Sequence, residues 1–214
     1  MTLEPRIDPA TKLRADLALV AAMVTPGARV LDVGCGEGEL LAFLADAKNI
    51  DGRGMELSQA GVNAGVTRGL SVIQGDADKD LADYPSDAFD IVILSQTIQA
   101  TRNPRAVLEN LLRIGERVIV SFPNFGHWQV RLKLLLGGRM PVTRALEEPW
   151  HSTPNIHLCT ILDFLELAKL LGASVEHAII VDRFGEVHNA VGRPAFANLI
   201  GVNAVFRLSR SQND

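Results

Sequence analysis

"VLDVGCGEGEL", Val30 to Leu40, decides how this chain is read. An apolar run enters Gly34, Gly36 and Gly38, and helix-forming residues follow at once. A strand, glycine turn and helix in that order let the backbone bend sharply and let a ligand approach the helix N-terminus. Alone, G-x-G-x-G is a weak signal. Acids nearby strengthen it: Asp32 lies just before the glycines, Glu56 closes the next apolar strand, and Asp76 closes the third in "IQGDAD". Acids at the carboxyl ends of three adjacent strands suit a ligand with an amine and an adenosine, because a carboxylate takes ribose hydroxyls and repels a pyrophosphate. The spacing of G-C-G-E-G is also not that of the dinucleotide fingerprint, which sets an NAD-binding fold aside. Asp76 to Asp87 has Leu81 where a calcium loop needs glycine and Asp87 where it needs a bidentate glutamate, so a calcium site is rejected.

Outward from the loop the pattern alternates. Leu13, Leu17, Val20 and Val24 recur at helical spacing before Pro26-Gly27, and Ala28 to Val33 is the first strand. Leu40, Leu41, Phe43 and Leu44 make a helix and Gly52 to Leu57 a strand, and Ser58 caps the next helix up to Arg68. Leu70 to Gln74, Ile91 to Leu94 and Arg117 to Phe122 are further strands, and Asn103-Pro104 starts the helix that ends at Gly115. This alternation predicts an α/β domain with helices on both faces of a mostly parallel sheet. The rhythm stops over 123–159, too long for an ordinary connection and therefore an insertion or lid. It resumes with a helix capped by Thr160 and closed by Gly172. Ala173 to Val181 and Leu199 to Leu208 then pair as an antiparallel hairpin at one sheet edge. The expected organisation is one domain over 1–214: a core over 28–122, the insertion over 123–159, and a closing helix and hairpin over 160–208.

The 214 residues carry a net charge of -4, which argues against a general nucleic-acid or anionic-membrane binder. Two distant cysteines, Cys35 and Cys159, form no C-x-x-C motif and suggest neither a disulfide framework nor a cysteine zinc site. With no signal sequence or membrane-length apolar run at hand, a cytoplasmic protein is expected. "WHSTPNIHLC", Trp150 to Cys159, crowds His151, His157 and Cys159 together, but their spacing fits no usual zinc pattern, and no metal is expected. Asn124, Trp128, Arg131, Trp150 and Asn155 suit hydrogen bonding and stacking with a substrate or partner, and His127 and His157 are candidate bases.

The glycine loop and its acids resemble the class I S-adenosylmethionine-dependent methyltransferases. That resemblance implies a Rossmann-like, seven-stranded, mostly parallel sheet with a reversed last strand. It also implies S-adenosylmethionine or S-adenosylhomocysteine as cofactor, held by Asp32, Gly34, Cys35, Gly36 and Gly38, by Glu56 and Leu57, by Asp76 and Ala77, and by Ser95 and Gln96. No acceptor motif of asparagine, two prolines and an aromatic follows strand four, where "SQTIQA" stands.

Residues Ser121 to Phe164, with "LDVGCGEG", "QGDAD" and "LSQTIQA", further resemble the MetW family of methionine biosynthesis proteins. In that family an acid usually stands two residues after the tryptophan at position 150; His151 and Ser152 depart from the pattern. The resemblance implies a methyltransferase-like partner or regulator of homoserine O-acyltransferase more than an independent catalyst. Arg131, Lys133, Arg139 and Arg144 flank Leu132 and Leu134 to Leu136, so a short helix there either buries leucines while showing positive charge to an acidic partner or lies on the protein's own core with its charges solvated, although three consecutive leucines cannot all lie on one narrow helix face.

Overall fold

Apolar strands alternating with amphipathic helices build one sheet, described by a computed structural model over residues 13–143, 146 and 148–211. The strands are β1 (Arg29–Val33), β2 (Asp51–Glu56), β3 (Ser71–Gln74), β4 (Phe89–Ser95), β5 (Gly115–Pro123), β6 (Ala173–Asp182), β7 (Val187–Asn189) and β8 (Gly201–Arg210), and the helices are α1 (Ala15–Met23), α2 (Glu39–Lys48), α3 (Gln59–Thr67), α4 (Pro104–Ile114), α5 (Trp128–Gly137), α6 (Ile161–Leu170) and α7 (Pro194–Ile200). Their order in the sheet is β3-β2-β1-β4-β5-β8-β6-β7. The first five strands in that order run parallel, and β8 is antiparallel to both of its neighbours.

Both faces of the central strands are buried, which is why their sequences are continuous apolar runs. Val30, Ile91, Ile93, Ile119 and Val205 face a core completed by α1 and α2. Leu31, Val92, Leu94, Val118 and Phe206 face a second core completed by α4 and α6. There Phe122, Phe164 and Phe206 pack with ring centroids 4.8, 5.9 and 4.9 Å apart. The expected caps form. Asn103 Oδ1 accepts the Ala106 N–H, and Thr160 and Asp163 make a reciprocal capping box.

One expectation is corrected. The sheet has eight strands, because β7 adds a short edge strand to β6, with Ile179 opposite Asn189. A three-residue, mostly exposed strand leaves no readable alternation. The expected hairpin partners do pair, from Ala173 opposite Arg210 to Asp182 opposite Gly201, but β7 and α7 lie between them. Leu199 and Ile200 finish a helix begun at Pro194. In α5 only Val130 is buried. Residues 131–140 are all exposed, Leu135 and Leu136 at 81% and 77%, so the leucines do not pack on the protein's own core. Arg144 lies outside the described residues. Among the described residues no helix is long and apolar enough to cross a membrane.

Candidate functional site

Strand order reverses between β1 and β4, and α/β sheets bind ligands beyond the carboxyl ends of their strands at such a point. The glycine loop lies there, between β1 and α2. Gly34 N–H donates to the Met55 carbonyl at 2.8 Å, and Gly34 sits at φ +74°. A side chain there would collide with Thr97, whose Oγ1 would be 2.5 Å from the new Cβ. Glycine is thus required twice over, by backbone angle and by space.

Glu56 braces this loop. Its Oε2 accepts the Gly36 N–H at 2.9 Å and its Oε1 the Ser58 N–H at 2.8 Å. A carboxylate has about four acceptor positions, so two remain for hydroxyls. Behind it lies Asp32, 2% exposed. Burial, and then the charge of Glu56, push the Asp32 carboxyl up to about 7. The same burial, with Asp32 and Glu56 adding to it, pushes the Cys35 thiol up to about 12. Cys35 is therefore a neutral wall group at physiological pH, not a nucleophile.

Asp76 has partners of its own. Its Oδ2 meets Lys79 Nζ at 2.9 Å and its Oδ1 accepts the Asp78 N–H. Lys79 and that N–H hold its carboxyl below the usual range. Leu57 is 65% exposed beside Glu56, and Ala77 is half-buried. Ser95 Oγ lies 2.9 Å from Ser121 Oγ. Gln96 adopts φ +55°, rare for a non-glycine residue, and its Nε2 donates to Asp16 Oδ2 at 3.2 Å. Strain of this kind persists only where surroundings enforce it, and here the Gln96 N–H is held by the Ser121 carbonyl at 2.8 Å.

The geometry of strand, glycine loop and paired acids agrees with comparison to known proteins. A family model described as methionine biosynthesis protein MetW matches residues 14–208. The chain belongs to the MetW family. A Rhodopirellula baltica protein named bifunctional methionine biosynthesis protein MetXA/MetW is 33% identical over 187 residues. That match covers 83% of this chain and 30% of the relative, so the chain spans under a third of the relative's length. An S-adenosylmethionine-dependent methyltransferase from Mesorhizobium loti superposes with a TM-score of 0.67 at 18% identity, over 92% of this chain and 98% of the other. The [4+2]-cyclase SpnF superposes with a TM-score of 0.64 at 19% identity, over 91% and 80%. These two share the fold with the MetW-family chain.

The remaining candidates in this MetW-family chain are dispersed. Asn124 is fully buried and its amide is consumed: Nδ2 donates to the Asn198 and Gly201 carbonyls, and Oδ1 accepts from the Gly126 and Ile161 N–H groups. It has no group left for a substrate or partner, which corrects that expectation. His157 is exposed, its Nε2 3.2 Å from the Arg102 carbonyl. His127 is 4% exposed and caps α5 through Nδ1, which accepts the Gln129 N–H. Trp150 is 74% exposed and stacks edge-on with His151. Trp128 lies under the Arg183 guanidinium, 5.7 Å from its ring centroid. Arg131 folds back to the Gly126 carbonyl at 2.6 Å. Only Asn155 joins Gln96, sharing with it a cavity of about 420 Å³.

Three MetW-chain residues escaped the sequence reading. Asp16 is 8% exposed and bound to Gln96; its signal was an acid three residues after Leu13 and four before Val20, on the apolar face of the first helix. Gln99 is 1% exposed, and its Nε2 reaches the Pro123 carbonyl and Cys159 Sγ at 3.0 and 3.2 Å. Its own carbonyl holds the Ile156 and His157 N–H groups at 2.9 Å. Gly61 lets α3 press against the site, since a Cβ there would lie 2.8 Å from Glu56 Cγ and 2.9 Å from the Gly36 carbonyl. Alanine's helix preference is worth up to about 1 kcal/mol over glycine, but overpacking against fixed backbone costs about 1–3 kcal/mol. Gly61→Ala is expected to lower the urea midpoint; an unchanged or raised midpoint would show that Glu56 and its loop move aside freely.

Proposed function

We propose that this MetW-family chain holds S-adenosylmethionine or S-adenosylhomocysteine beyond β1, β2 and β3, and acts as partner or regulator of a homoserine O-acyltransferase. The observation that carries the cofactor half is the Glu56 carboxylate, pinned by Gly36 and Ser58 with acceptor positions still open. Such a group suits ribose hydroxyls. A buried, reluctantly ionised Asp32 beside it suits a ligand that brings positive charge. S-adenosylmethionine brings an ammonium and a sulfonium, the latter carrying a transferable methyl group. A pyrophosphate would instead be repelled.

The partner half rests on the Rhodopirellula baltica relative, whose name joins MetXA, read here as the homoserine O-acyltransferase, to MetW. Helix α5 supports it. Leu132, Leu134, Leu135 and Leu136 are 44, 47, 81 and 77% exposed, and no acid stands between Gly126 and Leu146. An apolar floor with an acidic rim is the complementary surface. Because the cofactor is a downstream product of methionine synthesis, a chain that senses it and touches the acyltransferase can report its level.

A second reading, a methyltransferase for a small acceptor, is favoured by the 420 Å³ cavity beside Gln96, whose wall includes Asp16, Glu148 and Asn155. Neither His127 nor His157 lines that cavity, which leaves a carboxylate as the base available there.

Calorimetric titration of S-adenosylmethionine, alone and with homoserine O-acyltransferase, separates the readings. Cofactor affinity that changes with the acyltransferase, by the same factor as acyltransferase affinity changes with cofactor, is the expected result. A double variant, Leu135→Glu with Leu136→Glu, is expected to weaken the protein pair at least tenfold while leaving cofactor affinity intact. Cofactor binding with no effect of the acyltransferase would favour the methyltransferase, and no cofactor binding would end both.

A further inference from the structure

We infer that a second cavity, between the start of α5 and the turn joining β6 to β7, binds a small carboxylate-bearing molecule. The cavity has a volume of about 650 Å³, and His127, Lys133, Arg183, Val130, Phe184 and Val202 contribute to its wall. Its chemistry follows from which polar groups are already occupied.

His127 is the first. The ring is 4% exposed, and Nδ1 accepts the Gln129 N–H at 3.3 Å. A neutral imidazole with one nitrogen accepting must carry its proton on the other. Burial, with Arg183 nearby, holds the ring below the usual histidine range and keeps it neutral. Nε2 is thus an N–H donor, and it is buried with no hydrogen-bond partner among the described residues. A buried donor without an acceptor is uncommon in a folded protein and is a cue for a ligand.

Arg183 is the second. Its guanidinium lies 4.4 Å from the Phe184 ring centroid and 5.7 Å from that of Trp128. Aromatic contact holds the planar group in place and leaves its hydrogen-bonding edge open. No carboxylate among the described residues forms an ion pair with it. The acid that also lines the cavity, Asp182, is turned to its own loop. Its Oδ1 accepts the Phe184 and Glu186 N–H groups, and its Oδ2 lies 3.0 Å from His188 Nε2. Lys133 adds a further positive charge at the rim, its Nζ 3.0 Å from the Val142 carbonyl.

The cavity thus offers two cations, the Arg183 guanidinium and the Lys133 ammonium, beside the buried His127 N–H, and Gln129, Thr143 and Asn203 add neutral polar groups to its lining. A planar two-oxygen acceptor matches a guanidinium edge better than a sphere does. Val130, Phe184 and Val202 give the same wall an apolar part that takes a short aliphatic chain. Asn203 lines this cavity and also the one beside Gln96, so the two pockets are neighbours across the start of β8.

The test uses the whole protein with succinate, butyrate and inorganic phosphate as probes, in calorimetry and in proton NMR of the imidazole N–H. Succinate or butyrate is expected to bind and to shift the His127 Nε2–H resonance. Arg183→Gln is expected to weaken that binding at least tenfold without lowering the melting temperature. His127→Phe, which keeps the ring volume and removes the donor, is expected to weaken it as well. If that variant does not fold, the resonance shift in the unmodified protein stands in its place. The inference is overturned if neither carboxylate binds, if phosphate alone binds, or if Arg183→Gln binds them unchanged.

Discussion

Glu56→Gln is expected to reduce S-adenosylmethionine affinity about 100-fold. The amide keeps one oxygen for a backbone N–H but turns an NH2 toward the other, so either Gly36 or Ser58 faces a donor where it now meets an acceptor. A hydrogen bond to a charged group is worth roughly 1.5–3 kcal/mol, and the loop contact and a ribose contact are both weakened. A total near 3 kcal/mol corresponds to about two orders of magnitude in Kd. Calorimetry checks it, and an affinity within threefold of the unmodified protein would remove Glu56 from the cofactor site. Because the Glu56 charge also helps raise Asp32, the same variant should lower the pH at which Asp32 ionises.

Asp32→Asn is expected to change how stability depends on pH. In the folded chain Asp32 titrates at about 7, against an ordinary value of 3.8. Between those values the folded state binds more protons than the unfolded state, so this group makes stability fall as pH rises through the window, and the loss is complete above about 7. The gap corresponds to roughly 4 kcal/mol at most. An asparagine is as neutral as the protonated acid at all these pH values. The variant should therefore match the unmodified protein near pH 4 and exceed it by up to that amount at pH 8, measured by urea unfolding. Parallel curves for the two proteins would mean that the Asp32 charge is already compensated in the fold. The ligand side has the opposite sign: a cationic ligand favours the ionised carboxylate, so its affinity should rise with pH through about 7 and its binding should release protons.

Much of this was legible because it is local in sequence. The glycine loop, the caps at Ser58, Asn103 and Thr160, and the apolar central strands all depend on neighbours a few residues away. So does the order of elements. What was not legible depends on distant chain segments meeting. Asp16 and Gln96 are 80 residues apart, and nothing in either stretch announces the other. Gly61 looks like a weak residue in a helix until Glu56 and the Gly36 carbonyl are placed against it. Asn124 reads as a surface hydrogen bonder because of its type, whereas three of its four side-chain bonds reach β8, α7 and the start of α6. For α5 the sequence left two placements open, its own core or a partner, and only the exposure of Leu134, Leu135 and Leu136 sets the first aside.

The position of β8 has a consequence for the order in which the protein can be made. It is the last strand in sequence but an interior strand of the sheet, hydrogen-bonded on one side to β5 and on the other to β6. Until residues through Arg210 have emerged from the ribosome, β6 and β7 have nothing to join, and the β5 edge stays open as a template for stray pairing. Before that point a nascent chain can join at most the five strands from β3 to β5 into one sheet. The sheet closes into one only when β8 takes its place between β5 and β6.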